Sequence, residues 1–262
     1  MRALHTAATG MMAQELNVQV ISNNIANMRT TGYKRQRAEF QDLLYEHVSR
    51  IGTQTSTQGN ILPVGIDLGG GVKTVGTPRL MTQGTITPTG AELNVAIRGE
   101  GFFKVQMPDG TYTYSRDGSF QMDAQGRVVT AKGNVVQPGI TIPANAQSIS
   151  ISPAGQVSAL VPGNSTPTVL GQFVLTRFVN KAGLQAIGDN LFVETPASGT
   201  PQDGTPNNDG YGDLQQGNLE QANVEAVTEI SDLIAAQRAY EMNGKVITAA
   251  DQMLSSTSNL MR

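Results

Sequence analysis

The residues that could perform acid–base or metal chemistry are few in this 262-residue chain, and they are scattered. The only two histidines are His5 and His47, and the absence of cysteine excludes disulfides and thiolate catalysis. Two isolated histidines form a metal site only where several carboxylates converge on them. No GxSxG segment provides a nucleophilic serine for either histidine to activate. We therefore predict no catalytic residue and no metal ligand.

Three glycine-rich stretches are similar to ligand-binding loops, but each lacks a residue that the chemistry requires. Gly99-Glu100-Gly101 begins like a dinucleotide-binding loop, yet Lys104 stands where the third glycine belongs. In 65–74 the lysine is displaced from the position that a phosphate loop needs. In 205–216 the last position is Gln216, where a Ca²⁺ loop needs a bidentate glutamate. The sequence favours turns at all three places and predicts no cofactor.

Composition and charge argue against nucleic-acid and membrane partners. The net charge of −3 gives no basic surface for phosphates. Apolar runs are far shorter than the roughly 20 residues that span a bilayer, so we expect no direct membrane insertion. Polar residues interrupt the N-terminal segment, so no cleaved signal peptide is expected. Charged residues make up 15% of the chain, whereas about 25% is typical. A weakly charged surface favours a protein that works inside an assembly.

Both ends of the chain carry apolar residues that repeat every seven positions, and these residues form the candidate assembly interface. Such a repeat needs a partner helix along its length. We expect helices over 3–28 and 219–261 that pair with each other as a coiled coil. The stripes also fit the core of a helical subdomain, but their length favours packing that extends to other copies. The candidate interface residues are Leu4, Met11, Val18, Ile21, Ile25, Leu219, Leu233, Tyr240, Ile247, Leu254 and Met261.

The centre of the chain reads as β-structure, so the predicted fold class is α+β. From Glu92 onward, short alternating runs separated by Gly, Asp and Pro turns recur every 8–10 residues, which is typical of an antiparallel barrel or sandwich. The Thr- and Gly-rich stretch 49–91 permits either an extended β-rich ribbon or disorder in the free monomer. The predicted segments are an N-terminal helix (1–32), a ribbon (33–91), a β domain (92–200), a return loop (201–218) and a C-terminal helix (219–262).

Several long motifs resemble the rod and hook axial proteins of the bacterial flagellum. They lie in the first helix and the turn after it (7–34), in the centre (92–120) and at the C-terminal end (217–243). The resemblance covers essentially the whole chain. The residues that carry it most clearly are Asn23, Asn24, Asn27, Gly32, Tyr33, Lys34, Gly99, Gly101, Phe102, Phe103, Gln237, Arg238 and Tyr240.

Within that family the chain is most similar to distal rod subunits. Three features carry this resemblance: the run 35–45, the Thr- and Gly-rich stretch 49–91 and the overall length. That length leaves no room for the outer domain of hook proteins. It implies a structural subunit of a rigid hollow drive shaft, in which terminal helices form the inner layer and the β domain the outer wall. Proximal rod and hook-type subunits are the alternative within the family.

The resemblance also implies partners and a location. Copies of the chain are expected to form a helical tubular homo-oligomer that meets proximal rod proteins, the hook protein, and the P-ring and L-ring proteins of the surrounding bushing. The flagellar type III export apparatus would deliver it, without a cleaved signal peptide, to the basal body between periplasm and outer membrane. A secreted self-assembling surface protein is the alternative from another class, and a cytosolic enzyme would need a converging polar site.

Overall fold

The structure, a computed structural model, describes residues 2–49, 64–163 and 166–260. The chain divides into two compact units, which we call the helix unit and the β unit. The helix unit comprises Met1–Ile25, Gln36–Pro78 and Glu225–Arg262, and the β unit comprises Ala26–Arg35 and Arg79–Val224.

Among the described residues, the helix unit contains two long helices and four short strands. Both helices follow from the apolar repeats at the chain ends, and neither is long and apolar enough to cross a lipid bilayer. Its elements are α1 (Arg2–Ala26), β1 (Glu39–Asp42), β2 (Tyr45–Ser49), β3 (Ile66–Gly69), β4 (Val72–Gly76) and α2 (Ala226–Leu260).

The second helix begins later than its heptad pattern predicts. Leu219 lies in a strand instead, and α2 starts at Ala226. The strand forms because its backbone pairs with residues 86–88, a non-local partner that a helical periodicity cannot reveal. At the other end, α1 stops at Ala26, and the turn that follows takes Met28 out of the helix.

The four strands of the helix unit form two antiparallel pairs. β1 pairs with β4, and β2 pairs with β3. Since the inner pair lies between the strands of the outer pair in sequence, residues 39–49 run out and residues 66–76 return beside them, and we call these two segments the ribbon. Residues 50–63 of the Thr- and Gly-rich stretch lie outside the described residues.

The β unit consists of short strands joined by Gly-, Asp- and Asn-rich turns, together with one 3₁₀ turn over Lys181–Gly183. Its strands are β5 (Ile86–Pro88), β6 (Val95–Arg98), β7 (Phe102–Gln106), β8 (Tyr112–Ser115), β9 (Gln121–Met122), β10 (Val128–Val129), β11 (Val135–Val136), β12 (Ser148–Ile151), β13 (Gln156–Leu160), β14 (Thr168–Gln172), β15 (Leu175–Arg177), β16 (Gln185–Gly188), β17 (Leu191–Val193), β18 (Gln202–Gly204), β19 (Asp213–Gln216) and β20 (Asn218–Glu220).

The strands form antiparallel sheets, as predicted, but among the described residues no sheet closes into a barrel. The largest has nine strands, with a main path β16-β17-β8-β7-β11-β10-β9 that leaves β16 and β9 as its ends. On the same sheet β15 pairs with both β7 and β18. β12, β13 and β14 form a second sheet, and β19-β6 and β20-β5 form two-stranded pairs.

Strand β7 supplies both hydrophobic clusters of the β unit. Phe102 and Phe103 point to opposite faces because side chains alternate along a strand. Phe103 packs edge-on against Phe120, with ring centroids 4.8 Å apart, in the larger cluster. Phe102 packs edge-on against Phe178, 6.0 Å away, in the smaller one. The two adjacent phenylalanines of the family motif therefore tie both clusters to one strand.

Candidate assembly surface

The helices α1 and α2 pack antiparallel in a fixed register. Gly10 of α1 lies against Asn243 of α2, where an added Cβ would come within 2.9 Å of the Asn243 Nδ2 atom. Asn24 of α1 contacts Glu229 of α2. Fourteen positions separate these contacts on each helix, from 10 to 24 and from 229 to 243, so the two contacts are in the same register. This finding confirms that the terminal helices pack together.

A buried polar network holds the end of the helix pair nearest the start of α2. The Asn24 amide donates to the Glu229 Oε2 atom at 3.1 Å and to the Gln36 carbonyl at 2.9 Å, and its oxygen accepts from the Gln36 N–H at 2.9 Å. Both Asn24 and Glu229 are 1% exposed. Glu229 also lies in the first turn of α2, where the helix dipole favours a negative charge. Asn24 therefore fixes the helix pair and the returning chain in one place.

The predicted interface residues occupy different depths in this helix pair. Ile21 is buried, whereas Leu4, Met11, Val18, Ile25, Leu233 and Ile247 are half-buried along the edges of the seam. Tyr240 and Leu254 are 46% and 47% exposed. Leu219 lies in β20, and Met261 lies outside the described residues. Ile21 therefore lies inside the contact between the helices, whereas the half-buried residues flank it.

The centre of the seam is built largely from small and polar residues, and apart from Ala7, which belongs to the apolar repeat of α1, the repeat did not single them out. Ala7 and Ala13 on α1 and Ala236 and Ala250 on α2 are the buried alanines there. Together with Gly10 they let two backbones approach closely, as small residues do at helix contacts. The signal that could have found them is their spacing, since Ala236, Asn243 and Ala250 fall seven apart.

Helix α2 is longer than its partner, which explains why Leu254 is exposed. α2 has 35 residues and α1 has 25. In the register set by the Gly10–Asn243 contact, residue 250 lies opposite residue 3. Leu254 therefore lies beyond Arg2, the first residue of α1. The residues of α2 beyond 250 extend roughly 15 Å past α1 at 1.5 Å per residue, and 251–259 are exposed.

The outer face of α2 exposes a set of large apolar side chains that no part of the described helix unit covers. Exposed hydrophobic area of this kind indicates an interaction surface. Its members are Val227, Ile230, Ile234, Met242, Val246 and Met253.

The β unit contains a buried ion cluster that joins distant segments. The Glu220 carboxylate accepts a hydrogen bond from the Lys34 ammonium at 2.6 Å, and its Oε2 atom forms an ion pair with the Arg116 Nε atom at 3.0 Å. Each of these side chains is at most 5% exposed. The Glu220 Oε1 atom also accepts the Gly84 N–H at 2.9 Å. Lys34 donates in addition to the Thr82 carbonyl at 2.8 Å. The Glu220 carboxylate of β20 thus connects the turn after α1, the segment before β5 and the end of β8 in the nine-stranded sheet.

The family glycines and Arg116 complete this cluster. Arg116 donates to the carbonyls of Gly101 and Gly99 at 2.7 and 2.9 Å. Burial lowers the pKa of the Lys34 ammonium, although the nearby Glu220 carboxylate opposes that shift. Two cations therefore share one anion in a dry site, where removing the anion would leave both cations uncompensated.

The turn before Lys34 requires glycine at position 32. Its φ of +68° lies in the left-handed region, and an added Cβ would lie 2.8 Å from the backbone of Arg116 and Asp117. Its N–H donates to the Glu220 carbonyl at 2.8 Å. Any side chain at this position would therefore push the Lys34 segment away from the cluster.

The remaining motif residues have separate positions. Tyr33 is buried beneath the Arg79 guanidinium, which lies 5.9 Å from its ring centroid. Asn27 accepts hydrogen bonds from Thr30 and so closes the turn after α1. Asn23 is exposed on α1, and Gln237, Arg238 and Tyr240 are exposed on α2.

Comparisons with known proteins match both ends and the centre of the chain. The sequence model of the flagella basal body rod protein family matches residues 4–34. That of the flagellar hook protein FlgE/F/G D1 domain matches residues 96–159, and that of the flagellar basal body rod FlgEFG protein C-terminal region matches residues 215–260.

Individual relatives align over almost the full length. The flagellar basal-body rod protein FlgG of Caulobacter vibrioides is 54% identical over 260 residues, covering 99% of each chain. FlgG of Agrobacterium fabrum is 50% identical over 262 residues, covering 100% of each. The flagellar hook protein FlgE of Helicobacter pylori is 38% identical over 138 residues, covering 52% of this chain and 19% of the hook protein.

Proposed function

We propose, from the premise that the chain belongs to the flagellar basal-body rod protein family, that it is a distal rod subunit that assembles with copies of itself into a hollow shaft. In this role it is structural and not catalytic, and it transmits torque from the motor to the hook. The full-length similarity to FlgG proteins supports the distal rod over a hook-type subunit, since the similarity to a hook protein covers only 52% of this chain.

The observation that carries self-assembly is the uncovered outer face of α2. One side of α2 is satisfied by α1, whereas Ile234, Met242 and Val246 on the other side remain exposed. A helix gains most of its stability by burying an apolar face. Contact with neighbouring copies would bury this second face as well, so the helix pair becomes fully stable only in the polymer. Ordering of the chain ends is then coupled to assembly.

The remaining roles follow the family. The α1–α2 pair would form an inner coiled-coil layer around the channel, and the β unit would form the wall. The ribbon β1–β4 would reach a neighbouring copy, since its exposed apolar side chains Leu44, Val48 and Ile66 lack cover within the described chain. Proximal rod proteins, the hook protein, the P-ring and L-ring proteins and the export apparatus are the expected partners, at a site between periplasm and outer membrane.

Purified protein provides the direct test of this function. At increasing concentration we expect tubes in negative-stain electron microscopy, and helix content measured by circular dichroism should rise as they form. In dilute solution, limited proteolysis should trim α1 and α2 before the β unit. A chain that stays monomeric at high concentration, with protease-resistant ends, would contradict the proposal. A secreted surface protein would form fibres without a central channel.

The ribbon offers a second prediction, on stiffness. Residues 45–69 can be excised cleanly because Leu43 and Gly71 are already joined by a backbone hydrogen bond of 2.9 Å. Adding Leu44→Asn to the excision places an Asn-Gly pair between β1 and β4, which suits a two-residue hairpin turn. We expect tubes that still form but bend more, because the contact across copies has been removed.

The measurement is the persistence length of tubes in electron micrographs, with the Leu44→Asn change alone as the control. Equal stiffness of tubes from the shortened and intact chains would show that the ribbon does not stiffen the tube. Failure of the shortened chain to form tubes would show that the ribbon is needed for assembly itself.

A further inference from the structure

The exposed residues of α2 form one continuous ridge with a single charge at its centre. Ile230, Ile234, Arg238, Met242 and Val246 are spaced four apart, which places them in one of the inclined rows that helices use to pack. The four apolar members are 45–59% exposed. In the part of the chain that the structure describes, Arg238 makes no ion pair. We call these five residues the α2 ridge.

The same helix pair carries a groove with the opposite charge. It has a volume of about 540 Å³ and lies between α1 and α2. Val18 and the Tyr240 ring give it apolar walls, and the carboxylates of Glu15 and Glu241 stand at its sides. Neither carboxylate forms an ion pair with any described residue. We call this feature the helix-pair groove, and it shares no residue with the α2 ridge.

We propose that the α2 ridge of one copy docks in the helix-pair groove of a second copy, with Arg238 placed between Glu15 and Glu241. This inference rests on the proposed self-assembly and names the surfaces that perform it. Ridges of one helix fit the grooves of others, and the apolar members of the ridge match Val18 and Tyr240.

The charges specify the register of this contact. The ridge contains one cation and the groove two anions, so the match is made only when Arg238 reaches the groove. A guanidinium can donate to two carboxylates at once, which a lysine ammonium does less well. A shift by one ridge position would put an apolar side chain beside the carboxylates and leave the Arg238 guanidinium unpaired.

The contact is also open-ended. Because the ridge and the groove consist of different residues, the contact is not self-complementary, and the ridge of one copy meets the groove of the next. Head-to-tail contacts of this type produce filaments or rings and not closed two-fold dimers. Growth of a shaft by addition at one end needs a contact of this kind.

The test uses two charge-reversed full-length chains. Arg238→Glu gives an acidic ridge facing an acidic groove, and Glu15→Lys combined with Glu241→Lys gives a basic groove facing a basic ridge. Like charges across an interface cost several kcal/mol, so each variant alone should need at least about tenfold more protein to polymerise. An equimolar mixture should polymerise near the wild-type concentration, because every ridge then meets a groove of opposite charge.

Controls separate this contact from general effects of charge. Asp251→Lys changes an exposed carboxylate of α2 that does not line the groove, and it should leave polymerisation unchanged. In a second measurement, added salt should raise the wild-type polymerisation threshold more than that of Arg238→Gln, because salt screens the exposed ion pair.

The possible outcomes are distinct. Normal polymerisation of Arg238→Glu alone, or a mixture that fails to polymerise, would overturn the ridge-in-groove contact while leaving self-assembly in place. A wild-type chain that forms no polymer under any condition would overturn the proposed function together with this inference.

Discussion

Replacing Glu220 by Gln is expected to destabilise the β unit by about 3–5 kcal/mol, the cost of removing one partner from a buried ion pair. The carboxylate is fully buried and is shared by Lys34 and Arg116. Glu220→Gln leaves both cations in a dry site without the counter-charge that they share. Urea unfolding followed by near-ultraviolet circular dichroism, which reports the tyrosines of the β unit, would measure the loss.

The control is an ion pair of similar length at the surface. Arg98 and Asp213 are 2.8 Å apart, but the arginine side chain is 63% exposed. Asp213→Asn should cost at most about 1 kcal/mol. Adding Lys34→Met to Glu220→Gln should recover part of the loss, because one cation then remains in place of two. Equal losses for Glu220→Gln and Asp213→Asn would show that the cluster contributes nothing special.

The loss caused by Glu220→Gln should shrink as pH rises. Burial already lowers the pKa of Lys34 in the folded chain, and the Glu220 charge, which raises it, is absent from the variant. A lysine whose folded pKa lies below its unfolded value destabilises the fold most at low pH. The penalty is relieved as pH rises through the folded pKa toward the unfolded value of about 10.4. A deficit that stays constant between neutral and alkaline pH would exclude Lys34 as its cause.

Leu233→Asp combined with Ile247→Asp is expected to abolish polymers and motility while leaving the β unit folded. Both residues are half-buried on the face of α2 that meets α1, two heptads apart. Lost apolar burial and the desolvation of two carboxylates together cost at least about 3 kcal/mol. That cost raises the concentration needed to polymerise more than about a hundredfold.

Sedimentation of polymer and a swimming assay in a bacterium that carries the variant as its sole copy provide the measurements. The matched control is Leu233→Met with Ile247→Met, which keeps both positions apolar and nearly conserves volume. Normal swimming by the Asp variant would mean that the seam between α1 and α2 is dispensable. An unfolded β unit would mean that the two units are not separable.

The seven-residue repeats were sufficient to predict that the two ends form helices and meet. A period-7 pattern predicts a long apolar helix face that packs against a partner helix, and Leu233 and Ile247 lie along this face of α2. They do not report how closely two backbones approach, which here depends on Gly10 and Asn243. The predicted start of α2 was wrong because Leu219 continues the repeat by composition, yet pairs as a strand.

Non-local pairing explains what else the sequence did not reveal. The loop predicted over 201–218 contains β18 and β19, which form because β15 and β6 supply their hydrogen bonds. Lys34 was identified only through the family motif, and its partner Glu220 is 186 positions away. No spacing rule relates residues so far apart. Alternation and turn residues, by contrast, were enough to predict an antiparallel β-rich centre, although not whether its sheet closes.

The antiparallel pairing of α1 with α2 sets an order of events during folding. α1 is synthesised before the β unit and α2, and its Asn24 pairs with Glu229, which lies 205 positions later. Contacts between residues so distant in sequence form late, because closing a long loop costs entropy before the contact repays it. All of the β unit is made in the interval. α1 therefore acquires its partner helix only after the β unit has been made, and its apolar stripe stays uncovered until then.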